Sequence, residues 1–207
     1  MEGPPDPTTD RLEAFSDGVF AVAATLLVLN LAVKQPLPHG QLAHQLGKLW
    51  PSYATYVVSF MTIGIVWLNH HAQFRNIARA DRTLMVINLV LLMFVTLTPF
   101  PTTLLAGHFN PGADERTAAA LYAATLFAMG VSFFASYLWC ARRQLFEGWI
   151  DERHVSYLIR RNMLGLLIYA AAIGLAFVNA PTSLALCGLV AIYYLLPARA
   201  PAASAPV

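Results

Sequence analysis

Ionisable and hydroxyl side chains stand directly before a long apolar run in residues 11–34, RLEAFSDGVFAVAATLLVLNLAVK. Arg11, Glu13, Ser16 and Asp17 can form ion pairs and hydrogen bonds, whereas the residues after them are suited to lipid. Ionisable groups inside a membrane segment are unfavourable unless they pair with one another or line a polar path. The cluster is therefore a candidate functional site, provided that a helix positions it.

Helical periodicity divides this first apolar run into two faces, and Asp10 indicates where its helix starts. Spacings of three and four place one set of residues on a single stripe: Arg11, Phe15, Gly18, Val22, Thr25, Leu29 and Ala32. Leu26 lies beside the stripe, and Asp17 falls on another face, where we expect it to point at neighbouring helices. Two alternatives stay open: Ser16 and Asp17 as helix-capping residues, and the stripe as ordinary packing.

A second polar group, Trp67 with His70 and His71, stands near the end of a later apolar run. We expect Trp67 and one of the two histidines to contact the first span and to hold it in place. Their partners there are Ser16 or Asp17. The alternative is that the histidines reach the lipid headgroups. A metal site at the histidines is disfavoured, because adjacent residues diverge by about 100° on a helix.

Composition assigns the chain to the integral membrane proteins. Of its 207 residues, 57% are hydrophobic and only 12% are charged, about half the charged fraction of a soluble domain. The net charge of +2 is too small to suggest a nucleic-acid partner. Cys140 and Cys187 lie inside apolar runs without metal-ligand spacing, so we expect them to be buried small side chains.

Six apolar segments predict an all-α membrane domain over residues 10–198. They lie at about 17–33, 53–74, 83–106, 117–141, 162–179 and 182–197. We expect disorder in the flanking segments 1–9 and 199–207, and an amphipathic interfacial helix at 142–161. Pro99 and Pro101 are expected to kink or end the third span.

The charges predict that both termini are cytoplasmic. With that orientation, ten of the 13 Lys and Arg residues fall in cytoplasmic segments, and only Lys34, Lys48 and Arg116 lie outside. Such an asymmetry is what the positive-inside rule requires. The first apolar segment lacks the basic flank of a secretory signal, so we interpret it as a retained span.

The motif R-x-x-x-F-S-D in the first span resembles the hallmark of the transmembrane protein 175 family, the potassium channels of endosomes and lysosomes and their bacterial relatives. The matching residues are Arg11, Phe15, Ser16 and Asp17, followed by Thr25, Leu26 and Leu27. The second span resembles the family in Trp67 and the two histidines, and the third in Asn88 and its Pro-containing end.

The resemblance implies a homotetramer whose pore is lined by the first helix of each subunit. Rings of apolar side chains on that helix would control ion passage, here Val22, Leu26 and Leu29, with Thr25 as an adjacent polar layer. Apolar rings gate by dewetting and favour the cation that loses water more readily. The family often has Ile or Leu at the position of Val22, so the smaller side chain implies a wider ring.

The expected function is therefore passive, modestly potassium-selective cation conduction in the plasma membrane. The expected partners are potassium ions, the lipid bilayer and further copies of the chain, with no cofactor and no resident metal. A proton-conducting pore on the same scaffold is the alternative. A secondary transporter or a membrane enzyme is less favoured, because internal repeats and a catalytic cluster are both missing from the sequence.

Overall fold

The computed structural model describes residues 9–31, 40–108, 111–148 and 150–196, and its regular elements are helices. They are α1 (Thr9–Leu26), a 3₁₀ turn (Leu27–Asn30), α2 (Leu42–Lys48), α3 (Trp50–Phe74), α4 (Arg82–Leu97), α5 (Pro99–Gly107), α6 (Ala113–Arg143), α7 (Glu152–Ala176) and α8 (Ala180–Leu195). Thr9 belongs to α1, and the rest of segment 1–9 and all of segment 199–207 lie outside the described residues.

Five helical segments are long and apolar enough to cross a membrane. They are Thr9–Asn30, Trp50–Phe74, Arg82–Gly107, Ala113–Arg143 and Glu152–Ala176. The sixth predicted segment corresponds to α8, which is apolar but has only 16 residues. The described residues therefore hold five candidate spans and one shorter apolar helix, in an all-helical fold.

Two helices begin well before their apolar segments. The polar cluster of residues 11–17 lies inside α1, and α7 begins at Glu152 rather than near residue 162. The prediction of a separate interfacial helix at 142–161 is wrong, because α6 ends at Arg143 and residues 152–161 are the first turns of α7. A hydropathy pattern marks where a helix enters lipid, whereas hydrogen bonding decides where it begins.

Side-chain caps start three of the helices. The Asp81 carboxylate accepts a hydrogen bond from the backbone of Leu84, and the Asp151 carboxylate accepts one from the backbone of His154. Asn179 caps α8 in the same way. These oxygens satisfy backbone N–H groups that have no partner within the first turn of a helix.

The third predicted span is interrupted at Thr98, between α4 and α5. The interruption lies where the prolines predict it, since neither Pro99 nor Pro101 has a backbone N–H to donate. At Thr98 the backbone N–H donates to the Val95 carbonyl at 3.2 Å, and the hydroxyl donates to the Phe94 carbonyl, the helical partner that this N–H leaves, also at 3.2 Å. Both helices nevertheless remain part of one candidate span.

The centre of the bundle is α6, which packs against α4, α5, α7 and α8. Within its most apolar window, 56% of the residues are buried in the protomer, compared with 22% for α1. Cys140 and Cys187 are free and buried in this core. α1 packs on the side of the bundle against α3 and α4, and one of its faces is left exposed by the described residues.

Candidate functional site

α1 divides sharply into a buried face and an exposed face. Ser16, Phe20, Ala23 and Leu27 are buried against the bundle and follow one another at spacings of four, three and four residues. These spacings keep the four side chains on one side of the helix. The polar and the apolar parts of α1 are therefore both anchored to the rest of the protomer.

The four predicted pore positions lie on the exposed face. The exposed fractions are 56% for Val22, 42% for Leu26 and 69% for Leu29, and Thr25 is exposed between them. The Thr25 hydroxyl donates to the Val22 carbonyl at 2.9 Å. Because its hydrogen is used in this way, the oxygen lone pairs remain free to accept hydrogen bonds from water or to contact a cation.

A buried chain of polar groups connects the other face of α1 to α3 and α4. The Asn88 amide nitrogen donates to the Ser16 hydroxyl at 2.9 Å, and Ser16 donates to the Leu12 carbonyl at 2.8 Å. His70 Nε2 lies 2.8 Å from the Asn88 amide oxygen. Since that oxygen only accepts, Nε2 carries the hydrogen. Each hydrogen bond is therefore donated in the same direction, from His70 through Asn88 and Ser16 to the Leu12 carbonyl.

His70 is held from several sides at once. Its ring stacks on Phe74 with the centroids 4.4 Å apart and packs at a tilt against Phe20 of α1 at 5.3 Å. The second ring nitrogen, Nδ1, is buried without a hydrogen-bond partner among the described residues. His70 of α3 is therefore held in one position, with its ring against Phe20 of α1 and its Nε2 hydrogen-bonded to Asn88 of α4.

A second set of polar contacts runs along the more exposed edge of the same interface. Trp67 Nε1 donates to the Asp17 carboxylate at 2.8 Å, and His71 Nδ1 forms a short contact with the Glu13 carboxylate. The Trp67 and His71 rings stack with centroids 6.2 Å apart. α1 is thus connected to α3 at two successive turns of each helix.

The structure brings together five of the seven predicted motif residues: Ser16, Asp17, Trp67, His70 and His71. Arg11 and Phe15 are exposed, and Arg11 forms no ion pair within the described residues. Ser16 lies two turns inside α1, so it does not cap the helix.

Asn88 and Glu13 belong to the network without having been predicted as members. The signal for Asn88 is a polar side chain in the middle of the apolar run of α4, since such residues usually find a partner inside the bundle. Glu13 gives a weaker signal, because a carboxylate in the first turns of a helix is equally expected as a capping group.

A further contact fixes the other end of α1. The Asn30 amide nitrogen donates to the Pro99 carbonyl at 3.4 Å, and the Thr103 hydroxyl donates to the Asn30 amide oxygen at 2.5 Å. α5 therefore contacts the 3₁₀ turn that follows α1. With the polar network at one end and this contact at the other, the rotation of α1 is fixed along its length.

The histidines do not form a metal site. His70 and His71 turn to different partners, Asn88 and Glu13, and the described residues contain no group of three His, Cys, Asp or Glu side chains that could hold a metal ion. The four predicted pore positions, Val22, Thr25, Leu26 and Leu29, carry only apolar and hydroxyl groups. Such a surface can exclude water and let ions pass, but it offers no nucleophile or general base.

The known proteins that this chain resembles are ion channels. The sequence model of a family described as the endosomal/lysosomal potassium channel TMEM175 matches residues 11–99, which include every candidate site residue. A potassium channel of Streptomyces collinus is 46% identical over 185 residues, 89% of this chain and 90% of that protein. The endosomal/lysosomal proton channel TMEM175 of Gallus gallus is 39% identical over 94 residues, 42% of this chain and 19% of that one.

The fold is similar to a solved structure as well. The crystal structure of a lysosomal potassium-selective channel TMEM175 homolog from Chamaesiphon minutus superposes with a TM-score of 0.76. The two chains are 35% identical, and the superposition covers 90% of this chain and 96% of that one. The likeness therefore extends over nearly the whole helical bundle, beyond the residues that carry the sequence motif.

Proposed function

This chain belongs to the TMEM175 family of ion channels, and we propose that it conducts potassium passively along α1 helices at the axis of a homotetramer. Membership confirms the resemblance carried by Arg11, Phe15, Ser16 and Asp17. The protein is accordingly a multi-pass membrane channel and not an enzyme. The identity of the conducted ion, the residues that form the constriction and the number of subunits around the ion path are the proposed parts.

The observation that carries the proposal is the exposed apolar face of α1. A helix whose buried face is fixed by interhelical hydrogen bonds keeps its opposite face in a defined direction. Val22, Leu26 and Leu29 lie on that face, 42–69% exposed. A single protomer supplies one such helix, and a ring around an ion path needs several copies arranged about a closed symmetry axis.

The proposed selectivity follows from the cost of removing water. Apolar rings at Val22, Leu26 and Leu29 offer an ion no ligands, so an ion passes only when it can release part of its hydration shell. Potassium releases water more readily than sodium, which gives a modest preference without binding sites. Thr25 lies between these rings, and its free lone pairs can compensate an ion for part of the lost water.

The polar network has a positioning role in this proposal. The bonds of Ser16 to Asn88 and of Asp17 to Trp67 set the rotation of α1 about its own axis. A turn of the helix by one residue position, about 100°, would replace the proposed pore residues with their neighbours. We further propose six membrane crossings with both termini cytoplasmic and a location in the plasma membrane, supported by the distribution of Arg and Lys.

Ion flux into proteoliposomes tests the proposal. Purified protein in vesicles with a potassium gradient should give sustained potassium influx only when a proton ionophore is present, because passive potassium entry moves charge that the outflow of protons must balance. Leu29→Ala should raise the flux several-fold and lower the potassium-to-sodium ratio, because the ring becomes wider. Leu89→Ala is the matched control, since Leu89 is also an exposed leucine but lies on α4.

Each alternative result has a defined meaning. If Leu29→Ala and Leu89→Ala leave the flux equally unchanged, Leu29 does not form the constriction. If the potassium influx is equally fast without the proton ionophore, its charge is balanced by a counter-transported ion, the protein is a transporter and passive conduction is wrong.

Proton conduction is the second candidate function. It is favoured by the contact between the His71 imidazole and the Glu13 carboxylate at the interface of α1 and α3, and by the proton-channel name of the Gallus gallus relative. The same vesicles, with a pH-sensitive dye inside, a permeant anion to balance the charge and no permeant metal cation, test it. Acidification driven by a proton gradient, reduced by His71→Gln, would favour the proton channel.

A further inference from the structure

A cavity of about 400 Å³ lies between α3, α6, α7 and α8. No residue of α1 lines it, so within the described protomer it is separate from the proposed ion path. Its volume lies within the range of about 300–1,000 Å³ that is usual for sites of small molecules and cofactors. Exposed residues, among them Leu68 and Leu196, contribute to its wall, so the cavity opens to the surroundings of the protein.

The wall of the cavity changes from basic to apolar along its length. Arg75, just after the end of α3, and His154, in the first turn of α7, lie at one end. Leu126 and Met129 of α6 and Tyr169 of α7 lie at the other. From His154 to Tyr169 a helix rises about 22 Å, so the cavity follows the helices deep into the bundle.

Arg161 carries a positive charge at intermediate depth. It is 7% exposed, and its guanidinium donates to the carbonyl of Leu196 at 2.7 Å and to that of Tyr193 at 3.3 Å, at the end of α8. The same guanidinium lies over the rings of Tyr193 and Tyr194, 5.2 and 5.4 Å from their centroids. Its position in the wall is therefore fixed.

No acidic side chain lines the basic end of the cavity among the described residues, and the nearby Asp151 carboxylate is engaged by the backbone N–H of His154. None of the described residues that line the cavity is an Asp or a Glu. Arg75 is exposed and His154 is half-buried, and neither forms an ion pair with a described carboxylate. A ligand that brings a negative charge to this end would meet the Arg75 guanidinium, which has no carboxylate partner among the described residues, and the His154 imidazole as a hydrogen-bonding group.

We propose that the cavity binds one anionic phospholipid per protomer, with the phosphate at Arg75 and His154 and an acyl chain between α3, α6 and α7. Basic pockets between membrane helices are suited to lipid headgroups, and the adjoining leaflet supplies the ligand directly. The apolar depth accounts for the acyl chain, which a soluble phosphate compound does not have. The order of the wall, basic at the helix ends and apolar towards the middle, matches the order of groups in a phospholipid.

Native mass spectrometry of the delipidated full-length channel in uncharged detergent tests the proposal. The probes are phosphatidylglycerol, phosphatidylcholine with the same acyl chains, and inorganic phosphate. The wild-type channel should retain one phosphatidylglycerol per protomer in preference to phosphatidylcholine. Arg75→Gln should weaken retention of phosphatidylglycerol about fivefold and leave phosphatidylcholine unaffected.

Arg160→Gln is the matched control. Arg160 is exposed on α7 next to Arg161 but does not line the cavity, so this variant should bind lipid as the wild type does. Leu166→Trp, which fills the apolar part, should weaken retention of phosphatidylglycerol. If Arg75→Gln fails to elute as a folded channel in size-exclusion chromatography, His154→Gln takes its place.

Three results would overturn the proposal. Equal retention of the two lipids would mean that the cavity does not select a negative charge. Equal losses in Arg75→Gln and Arg160→Gln would point to general surface attraction. Displacement of phosphatidylglycerol by inorganic phosphate at equal concentration would mean that the site takes a free anion and that the acyl chain adds nothing.

Discussion

The Asn88 carboxamide holds three helices together because it uses both of its ends. Its nitrogen donates to Ser16 of α1, and its oxygen accepts from His70 of α3. Both partners are fully buried, so neither can turn to water if the amide is removed. A hydrogen-bonded side chain in such a place contributes more than its own bonds, since its loss leaves other groups unpaired.

Asn88→Leu is therefore expected to destabilise the protomer by about 1–2 kcal/mol, because His70 Nε2 loses its acceptor and Ser16 loses its donor. Thermal unfolding in detergent measures the change. Asn162→Leu is the control, since the hydrogen bond that Asn162 forms among the described residues goes to the Leu158 carbonyl of its own helix, and it should change stability by less than about 0.5 kcal/mol. Equal effects of the two substitutions would mean that the interhelical hydrogen bonds of Asn88 do not stabilise the protomer.

At the scale of single residues, the sequence predicts which face of a helix a residue lies on better than it predicts which residue it bonds to. Helical spacing alone separates Val22 and Leu29 from Phe20, because every residue of a helix has a fixed direction relative to its neighbours. The bond between Ser16 and Asn88 joins residues 72 positions apart, and only the packing of α1 on α4 brings them together. Spacing within one helix contains no information about that packing.

At the scale of helices, α7 and α8 approach each other closely where Gly165 of α7 faces Tyr194 of α8. A Cβ atom at this position would lie 2.1 Å from the Tyr194 hydroxyl oxygen, well inside van der Waals contact. Tyr194 is in turn held by a hydrogen bond from its hydroxyl to the Arg161 carbonyl at 3.3 Å. Glycine is therefore needed here for space, and the two helices pack tightly because it is present.

Gly165→Ala is expected to destabilise the protein by about 1–3 kcal/mol, because Tyr194 must leave its position and loses its contact with Arg161. Gly174→Ala on the same helix is the matched control. A Cβ there would meet no atom within 4 Å, so the change should be neutral or stabilise the helix by up to about 1 kcal/mol. Thermal unfolding of both variants measures the difference, and a stabilising Gly165→Ala would contradict the close packing.

The ends of a helix can be predicted from the sequence where a change in hydropathy marks them. They are harder to predict where tertiary contacts allow charged residues inside the helix. α3 and α6 correspond to their apolar segments within a few residues. The start of α7 does not, because the segment after Asp151 is charged. Its Arg161 is accommodated by the carbonyls at the end of α8, a partner that a hydropathy pattern cannot supply.

For the whole molecule, the proposed assembly would give the exposed face of α1 its function. Among the described residues Val22 and Leu29 are more than half exposed, although the helix that carries them is held near both ends. An exposed apolar face in so defined an orientation supports the proposal that further copies of the chain cover it. Under the proposed symmetry, each copy would contribute the same side chains at the same depth.

The proposed tetramer of 22.6 kDa chains should have a mass of about 90 kDa in native mass spectrometry. In that assembly Leu29→Cys brings thiols of different copies close to the axis, so a short thiol cross-linker should give a band of two chains, about 45 kDa, on a denaturing gel. Leu167→Cys is the control, because Leu167 is 60% exposed on α7, away from α1. Cys140 and Cys187 are buried and should not react. If both variants cross-link equally, or neither does, α1 does not lie at the axis.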